Sequence, residues 1–440
     1  MRSSGGCVPR SPTGCATGAS RAWARGNQPG SGRGTSRVNV SDASVDFGHL
    51  VRRRPSAVVR PRSAAEIAGV VRSAAADGVP VAARGRGHSG YGQALTDGVV
   101  ADMSTLAAVH EAGDDRIVVD AGAGWDAVLA AAWERGRTPP VLTDYLGLSV
   151  GGTLSAGGIG GTSFRHGLQT DTVLSLEVVT GDGVVRTCGP GDELFAAVLG
   201  GLGQCGIITR ATLRLVPAPA HVRRQELDYD TVAAAALDQV RFISEDRFDF
   251  VQGQVRFGGS GRRVFLETYS EGGGDLPFLE FQHRLDAAEA LLTGTGAWFH
   301  PHPWWNCFLP EPAAVDFLST LVERLRPEDL GEAGCVLFYP VFTGRVRAPL
   351  VRLPAERIAF LVAILRFPPD DAALAARQVA ENRRFYEEAR ELGGVTYPIG
   401  AIPFTPPDWQ HHFGDQWPSL RAWKSRYDPA GVLTPGPGIF

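Results

Sequence analysis

The feature that most constrains this chain is a glycine-rich loop over residues 84–94, which reads Arg-Gly-Arg-Gly-His-Ser-Gly-Tyr-Gly-Gln-Ala. It follows a predicted strand at residues 79–83. Glycines at this density let a backbone approach a ligand closely and present bare N–H groups to phosphate oxygens. His88 lies in the middle of the loop. The stretch therefore favours a nucleotide cofactor with the His88 imidazole against it, although on this stretch alone a plain surface loop stays open.

The same letters match the dinucleotide fingerprint G-x-G-x-x-G through Gly85, Gly87 and Gly90. In that fold a helix follows the last glycine and its N-terminus holds the pyrophosphate. Here Gly92 and an Asp97-Gly98 turn come next, followed by another predicted strand. The fingerprint fails on its context, so it does not indicate a Rossmann fold.

Size and composition exclude several function classes. The protein has 440 residues, 44% of them hydrophobic, which favours two domains. Its formal charge of −4 gives no reason to expect nucleic acid or an anionic membrane as a partner. No apolar run approaches the ~20 residues that cross a bilayer. The six cysteines lack C-x-x-C spacing, and the pairs His300/His302 and His411/His412 lack further ligands, so no metal site is predicted.

The N-terminal stretch, residues 1–41, consists largely of Gly, Ser, Arg and Pro and has no acidic residue. Such a composition cannot bury enough apolar surface to offset conformational entropy, so we expect disorder. It also lacks the apolar core of a secretory signal, which favours a cytoplasmic protein. A transit peptide and a start codon placed too far upstream are alternative interpretations.

Strand and helix patterns mix throughout the rest of the sequence, so the predicted fold class is α+β. We expect one domain at 42–219 around the glycine-rich loop, a second α+β unit at 220–400 that covers it, and a return of 401–440 to the first. The turn Asp182-Gly183 predicts a hairpin at 174–187. Other predicted strands are 57–61, 99–103, 116–121, 206–216, 248–257, 264–269, 335–342 and 358–367. Predicted helices are 63–78, 125–135, 192–199, 276–292 and 371–392.

A second glycine-rich stretch covers residues 142–161, and Gly147–Gly151 within it matches the G-x-S-x-G elbow of serine hydrolases. An elbow needs a strand before it and a helix after it. Prolines upstream and glycines downstream argue against a helix after Ser149, so a hydrolase is only a remote alternative. A second cradle for a long nucleotide is the better interpretation, in which Ser149, Ser155 and backbone amides bind a pyrophosphate. Asp144 stands at its mouth, either as an ordinary turn residue or as a general base.

These residues together resemble the vanillyl-alcohol-oxidase type of FAD domain, the FAD-binding PCMH-type fold, and within it the cytokinin dehydrogenases closely. The likeness runs from about residue 46 to the C-terminus. The matching segments are 46–48 (Asp-Phe-Gly), 85–89 with Gln93, 143–146 (Thr-Asp-Tyr-Leu), 149–155, 164–167 (Phe-Arg-His-Gly), 199–204, 206–210, 302–304 (His-Pro-Trp) and 427–429 (Tyr-Asp-Pro).

The resemblance implies an FAD domain of two α/β subdomains with an inserted α+β substrate domain over the flavin. It also implies a reaction. Hydride leaves the carbon bonded to N6 of an N6-substituted adenine for flavin N5, and the imine hydrolyses to adenine and an aldehyde. The partners would be that small substrate and a quinone-like acceptor or oxygen, with no nucleic acid and no membrane.

The resemblance also assigns residues. His88 falls where relatives bond covalently to the flavin 8α-methyl, and no cysteine aligns near Gly147 for a second bond. Asp144 falls at the base that accepts the substrate N–H, and Gln252 at a substrate-contacting glutamate. The implied FAD contacts are Gly85, Arg86, Gly87, His88, Ser89, Gln93, Asp144, Ser149, Ser155, Ile159, Ile208, Tyr397 and Thr434. The implied substrate contacts are Trp304, Asn306 and Tyr339.

Two departures bear on the substrate. Gln252 replaces the family glutamate, and Pro437 replaces a glutamine near the C-terminal FAD contact. The runner-up function is therefore an FAD-dependent oxidase of another small molecule, a sugar or a secondary-metabolite alcohol or amine. A flavin-binding protein without turnover is a further alternative. Trp304, Trp305 and Asn306 follow a proline-rich stretch, and we expect all three to line the substrate channel.

Overall fold

Sheets of three, five and eight strands organise the fold of the computed structural model, which describes residues 39–258 and 261–440. The predicted disordered tail lies, up to residue 38, outside that part of the protein. In sequence order the strands are β1 (Ala57–Val59), β2 (Val81–Arg84), β3 (Val99–Asp102), β4 (Val109–Ala112), β5 (Arg116–Asp120), β6 (Arg137–Thr138), β7 (Val173–Val179), β8 (Val185–Cys188), β9 (Ile207–Arg214), β10 (Val216–Pro217), β11 (His221–Tyr229), β12 (Phe250–Gly258), β13 (Gly261–Glu271), β14 (Leu276–Pro277), β15 (Trp305–Pro310), β16 (Cys335–Phe342), β17 (Ile358–Leu365) and β18 (Val395–Thr396).

Helices connect and cover these sheets. They are α1 (Ala64–Asp77), α2 (Trp125–Trp133), α3 (Val150–Leu154), α4 (Ser163–His166), α5 (Glu193–Val198), α6 (Val232–Ser244), α7 (Phe278–Gln282), α8 (Asp286–Thr295), α9 (Glu311–Arg324), α10 (Pro327–Leu330), α11 (Ala372–Glu391), α12 (Pro406–Phe413) and α13 (Trp417–Tyr427). Short 3-10 turns occur at Asp42–Ser44, Met103–Thr105, Gln169–Thr172, Ala297–Phe299, Thr343–Arg345 and Gly414–Gln416.

The three-stranded sheet is parallel, in the order β1-β3-β2, and α1 connects β1 to β2. The sequence predicts both ends of α1 correctly. The Ser63 hydroxyl accepts the Glu66 N–H at 3.2 Å, and Gly78 ends the helix in the left-handed region at φ 64°. The first glycine-rich loop leaves the end of β2, so a buried strand fixes where that loop begins.

The five-stranded sheet has the order β4-β5-β9-β7-β8, and all of its pairs are antiparallel. The hairpin predicted around Asp182-Gly183 is confirmed, since β7 pairs with β8 from Leu176↔Cys188 to Val179↔Val185. Inward-facing residues of β5 and β9 pack with α2 around the fully buried Trp125.

The eight-stranded sheet has the order β14-β11-β13-β12-β16-β17-β15-β18, again antiparallel. Side chains alternate between its two faces, as the pleat requires. In β16, Val336 and Phe338 join a buried core shared with α6, α9 and α11, while Leu337 and Tyr339 line a cavity. The same alternation places Gln252 and Gln254 of β12 on the cavity face. This face of the sheet therefore forms one wall of the candidate site.

The C-terminal segment lies against β2. The Val81 N–H donates to the Val432 carbonyl and the Thr434 N–H donates to the Val81 carbonyl, each at 2.8 Å. The Lys424 ammonium binds the Gln204 carbonyl at 3.0 Å, and the Gln204 amide donates to the Thr434 carbonyl at 2.8 Å. Residues 38–440 form one compact unit, so the domain boundaries at 219 and 400 stay predictions. Within the described residues, no helix has both the length and the apolar character needed to cross a membrane.

Three local predictions are wrong. The predicted helix at 276–292 is two helices, α7 and α8, separated at residues 283–285. A short helix, α3, does follow Ser149. Trp305 does not line the channel, because it is fully buried in β15 and packs on Phe317 with ring centroids 5.6 Å apart.

Candidate active site

A cavity of about 680 Å³ is lined by both glycine-rich loops and by the eight-stranded sheet. This volume lies within the range of cofactor and substrate pockets. Apart from Trp305, the structure brings all of the predicted site residues to this cavity; their individual roles stay predictions. These residues are Gly85, Arg86, Gly87, His88, Ser89, Gln93, Asp144, Ser149, Ser155, Ile159, Ile208, Gln252, Trp304, Asn306, Tyr339, Tyr397 and Thr434.

The buried Asp46 fixes the first loop through hydrogen bonds. Its carboxylate accepts hydrogen bonds from the Ser89 hydroxyl at 2.9 Å and from the Gly92 N–H at 2.5 Å. The Phe47 N–H also donates to the Gly87 carbonyl at 2.8 Å. Burial raises the pKa of Asp46 to about 6, against the lowering effect of these hydrogen bonds. The conformation of the first loop therefore depends on the Asp46 carboxyl group, whose ionisation is disfavoured by burial.

That shift predicts a pH dependence for stability. Because the pKa of Asp46 is higher in the folded than in the unfolded protein, the folded state binds this proton more tightly, and stability falls as pH rises from about 4 to 6. Asp46→Asn removes the titration. We expect the free energy of unfolding of the wild type, relative to Asp46→Asn, to decrease by on the order of 2 kcal/mol across this window. Denaturant titrations at several pH values measure it, and a constant difference would contradict the prediction.

Glycine is required where the two loops touch. A Cβ built on Gly85 would lie 1.9 Å from the Ser149 hydroxyl, which belongs to the second loop. Gly87 has φ 68°, and a Cβ there would lie 2.2 Å from the Arg84 guanidinium. A larger residue at position 85 would therefore force the two loops apart, and one at position 87 would be strained by the left-handed φ and would collide with Arg84 of the same loop. Ser149 is a packing contact between the loops, which differs from the exposed nucleophile of a hydrolase elbow.

His88 is half-buried beside the cavity in a stack of three rings. The Phe47 ring lies 3.9 Å from the His88 ring on one side and 4.1 Å from the His302 ring on the other, with interplanar angles of 11°. Burial lowers the pKa of His88 to about 3, so the imidazole is neutral. Its Nε2 atom has no hydrogen-bond partner among the described residues. A neutral imidazole with a free ring nitrogen is suited to bond formation.

Three side chains from separate parts of the sequence donate hydrogen bonds to the Asp144 carboxylate. Its Oδ1 atom accepts a hydrogen bond from the Arg284 guanidinium, and its Oδ2 atom accepts one from the Tyr339 hydroxyl. The Gln252 amide also donates to Oδ2, at 2.5 Å. Burial, and then the Asp144 carboxylate, raises the pKa of Tyr339 well above its usual value near 10, so Tyr339 remains a donor. Asp144 is consequently an oriented acceptor and not a mobile turn residue.

Gln252 is almost completely buried within this network. Its amide N–H groups bind Asp144 and the Tyr339 hydroxyl, the latter at 2.7 Å, and its carbonyl accepts from the Gln254 amide at 2.9 Å. Gln252 therefore orients Asp144 as well as lining the cavity. The contact of Gln252 with a purine ring stays a prediction.

Arg284 was missed by sequence reasoning. It lies in the break between α7 and α8, and it donates to Glu267 at 3.1 Å as well as to Asp144. Glu267 in turn accepts from Arg224 at 2.7 Å. Burial by itself lowers the pKa of Arg284, but the two carboxylates outweigh it and the pKa is raised. The apolar periodicity of 276–292 predicted one continuous helix and carried no signal for this inward-facing arginine.

Tyr397, in the C-terminal part of the cavity wall, contacts the second loop. The Gly158 N–H donates to the Tyr397 hydroxyl at 2.8 Å, and the Ser155 hydroxyl donates to the Gly151 carbonyl at 2.7 Å. Burial raises the pKa of Tyr397 to about 12. The Gln93 amide reaches the Gly400 carbonyl at 3.1 Å, which ties the first loop to the same wall.

The histidine-rich stretch contributes packing and aromatic lining. His302 is buried in the three-ring stack, and its Nδ1 atom lies 2.9 Å from the Phe47 carbonyl. Trp304 lines the cavity with its Nε1–H donated to the Arg366 carbonyl at 3.0 Å. In the described part of the protein no group of three or more potential metal ligands occurs.

The residues present fit an FAD cofactor. The two loops touch at Gly85, which has no side chain, the cavity has the volume of a cofactor pocket, and the buried Nε2 atom of His88 lacks a partner among the described residues. A family model described as "FAD binding domain" matches residues 55–189. A second, described as "Cytokinin dehydrogenase 1, FAD and cytokinin binding", matches residues 267–440.

The comparison with curated proteins decides the family. Cytokinin dehydrogenase 10 of Oryza sativa subsp. japonica is 35% identical over 91% of this sequence and 87% of its own length. The protein belongs to the cytokinin dehydrogenase family. Its members carry the FAD-binding domain of the PCMH type, so this protein is an FAD-dependent oxidoreductase, and the hydrolase interpretation of Gly147–Gly151 is wrong.

Other relatives agree with this assignment. Cytokinin dehydrogenase 7 of the same rice subspecies is 34% identical over 92% of this sequence and 90% of its own length. An uncharacterised oxidoreductase, ORF5 of the fasciation locus of Rhodococcoides fascians, is 40% identical over 91% of this sequence and 97% of its own length. The family is therefore matched along both the FAD-binding and the cytokinin-binding parts.

Proposed function

We propose that this protein oxidises the bond between N6 and the substituent carbon of N6-substituted adenines and releases adenine and an aldehyde. The observation that carries the proposal is the Asp144 carboxylate, fixed by three donors in the cavity that also contains His88. Two relatives with 34–35% identity are named cytokinin dehydrogenases, which supports the same substrate class.

FAD, when bound, supplies the acceptor for the hydride. We propose that His88 would hold the flavin covalently, since its imidazole is neutral and half-buried on the cavity wall and its Nε2 atom has no partner within the described residues. The backbone N–H groups of the two glycine-rich loops would hold the phosphates, and their close approach depends on glycine at Gly85. The protein's own part in this is to anchor and orient the cofactor.

Asp144 would accept the N–H of the substrate amine. A carboxylate in this role makes the nitrogen lone pair more available as positive charge develops, so its stabilisation is greater in the transition state than in the ground state. The three donors on Asp144 leave it little freedom to turn away. An acceptor already in place does not have to be reorganised during the reaction.

Aromatic residues would receive the planar adenine ring. Trp298 and Trp304 line the cavity, and both lie close to the ring stack of Phe47, at centroid distances of 5.0 Å. Flat apolar walls favour a planar heterocycle, and Asn306 adds a polar group on the same side of the sheet as Tyr339. The electron acceptor that completes the cycle would be a quinone-like molecule or oxygen.

A second candidate is an oxidase of another small molecule, such as a sugar or a secondary-metabolite alcohol or amine. Gln252 favours it, because an amide that already binds Asp144, Tyr339 and Gln254 has little hydrogen-bonding capacity left for a purine.

Initial rates of substrate oxidation with a quinone acceptor should separate the two candidate functions. We expect N6-isopentenyladenine to be turned over, with adenine identified by chromatography, and sugars and alcohols to be inert. Turnover of a sugar or alcohol alone would favour the second candidate.

A further inference from the structure

Arg284 occupies an unusual position for a charged residue. It lies at the break between α7 and α8, only 13% of its side chain is exposed, and it binds Asp144 and Glu267 together. We propose that Arg284 is a positioning residue, which holds the Asp144 carboxylate in place and turned toward the substrate. This proposal rests on the role of Asp144 given above.

Asp144 has no other cation to replace Arg284 among the described residues that contact it. Its remaining partners are the neutral groups Tyr339 and Gln252, and burial raises the pKa of the nearby Cys335 thiol, so it too is neutral near pH 7. The neighbouring Arg224 is occupied by Glu267 and by Glu226 at 2.6 Å. Loss of Arg284 would therefore leave a largely buried carboxylate without its counter-ion, which favours the protonated form.

The segment that carries Arg284 is attached to the second loop at two consecutive residues. Arg284 binds Asp144, and Glu289 of α8 accepts a hydrogen bond from the Tyr145 hydroxyl at 2.6 Å. No residue of α8 is buried, so these polar contacts fix the segment where packing does not. The break after α7 is what allows the Arg284 guanidinium to face the cavity.

The test compares Arg284→Met and Arg284→Lys with the control Arg383→Met. Arg383 also binds two carboxylates, Asp408 and Glu387, but outside the cavity. We expect Arg284→Met to slow flavin reduction on the order of 100-fold at saturating substrate, with a small change in KM. The acid limb of its pH–rate profile should move to higher pH. Arg284→Lys should be faster than Arg284→Met, because lysine retains the positive charge, although it lacks the planar guanidinium that binds both carboxylates. Arg383→Met should lower Tm and leave both the rate and the profile unchanged.

A second readout does not require turnover. If the pair is coupled, Arg284→Met should lower Tm less in an Asp144→Asn background than in the wild type. An additive effect on Tm, or an unchanged rate and pH profile in Arg284→Met, would overturn the proposal. Should the wild type not oxidise adenines, the same variants are measured with whichever substrate reduces the flavin. Failure of the proposed substrate is thereby distinguished from failure of the role of Arg284.

Discussion

Asp144→Asn is expected to slow flavin reduction by roughly 10²–10⁴-fold while the folded protein retains its flavin. The substitution keeps the size of the residue but removes its charge. It also presents an amide N–H to a site whose partners, Arg284, Tyr339 and Gln252, are all donors there. The variant therefore offers the substrate N–H at most an uncharged amide oxygen in place of the carboxylate, and the loss should appear in kcat more than in KM.

Rapid mixing with substrate under anaerobic conditions measures this rate. Asp408→Asn is the matched control, because Asp408 is a buried aspartate paired with Arg383 outside the cavity. We expect the control to lose stability and to keep its rate of flavin reduction. If Asp144→Asn reduces its flavin nearly as fast as the wild type, Asp144 is only a loop residue and the mechanism is wrong.

His88→Ala is expected to abolish covalent attachment of the flavin. The wild-type polypeptide should retain yellow fluorescence on a denaturing gel, because the bond to His88 survives unfolding, and the variant should show none. His412→Ala is a suitable control, since burial lowers the pKa of His412 to about 3 as it does that of His88, yet His412 does not line the cavity. Its flavin should remain attached. Complete release of flavin from the wild type by acid precipitation would contradict the assignment.

The parts of the site that the residues alone predicted are local in sequence. The loop around His88 and the stretch after Asp144 are dense in glycine, and close backbone approach is a property that glycine confers wherever it occurs. Tyr339 and Gln252 depend on the face of a strand and were assigned by resemblance. The alternation of β12 and β16 explains afterwards why both face the cavity.

The parts that could not be predicted depend on contacts distant in sequence. Helix α3 forms despite its glycines, because Gly151 packs on Ala121, where a Cβ would lie 2.8 Å from the alanine Cβ, and its N–H binds the Ala121 carbonyl at 2.7 Å. Arg284 faces inward because Asp144, 140 residues away, is there to bind it. Trp305 is in the core because β15 begins directly after the proline-rich stretch. Helices α6 and α9 cover a sheet whose strand order the sequence does not reveal.

The most direct measurement of the proposed function is anaerobic mixing of the purified protein with N6-isopentenyladenine. We predict that the visible absorbance of the oxidised flavin bleaches and that adenine accumulates in step with it. The same mixing with a panel of sugars and alcohols should leave the flavin oxidised. A flavin that stays oxidised with N6-isopentenyladenine but bleaches with a sugar or an alcohol would contradict the proposed reaction.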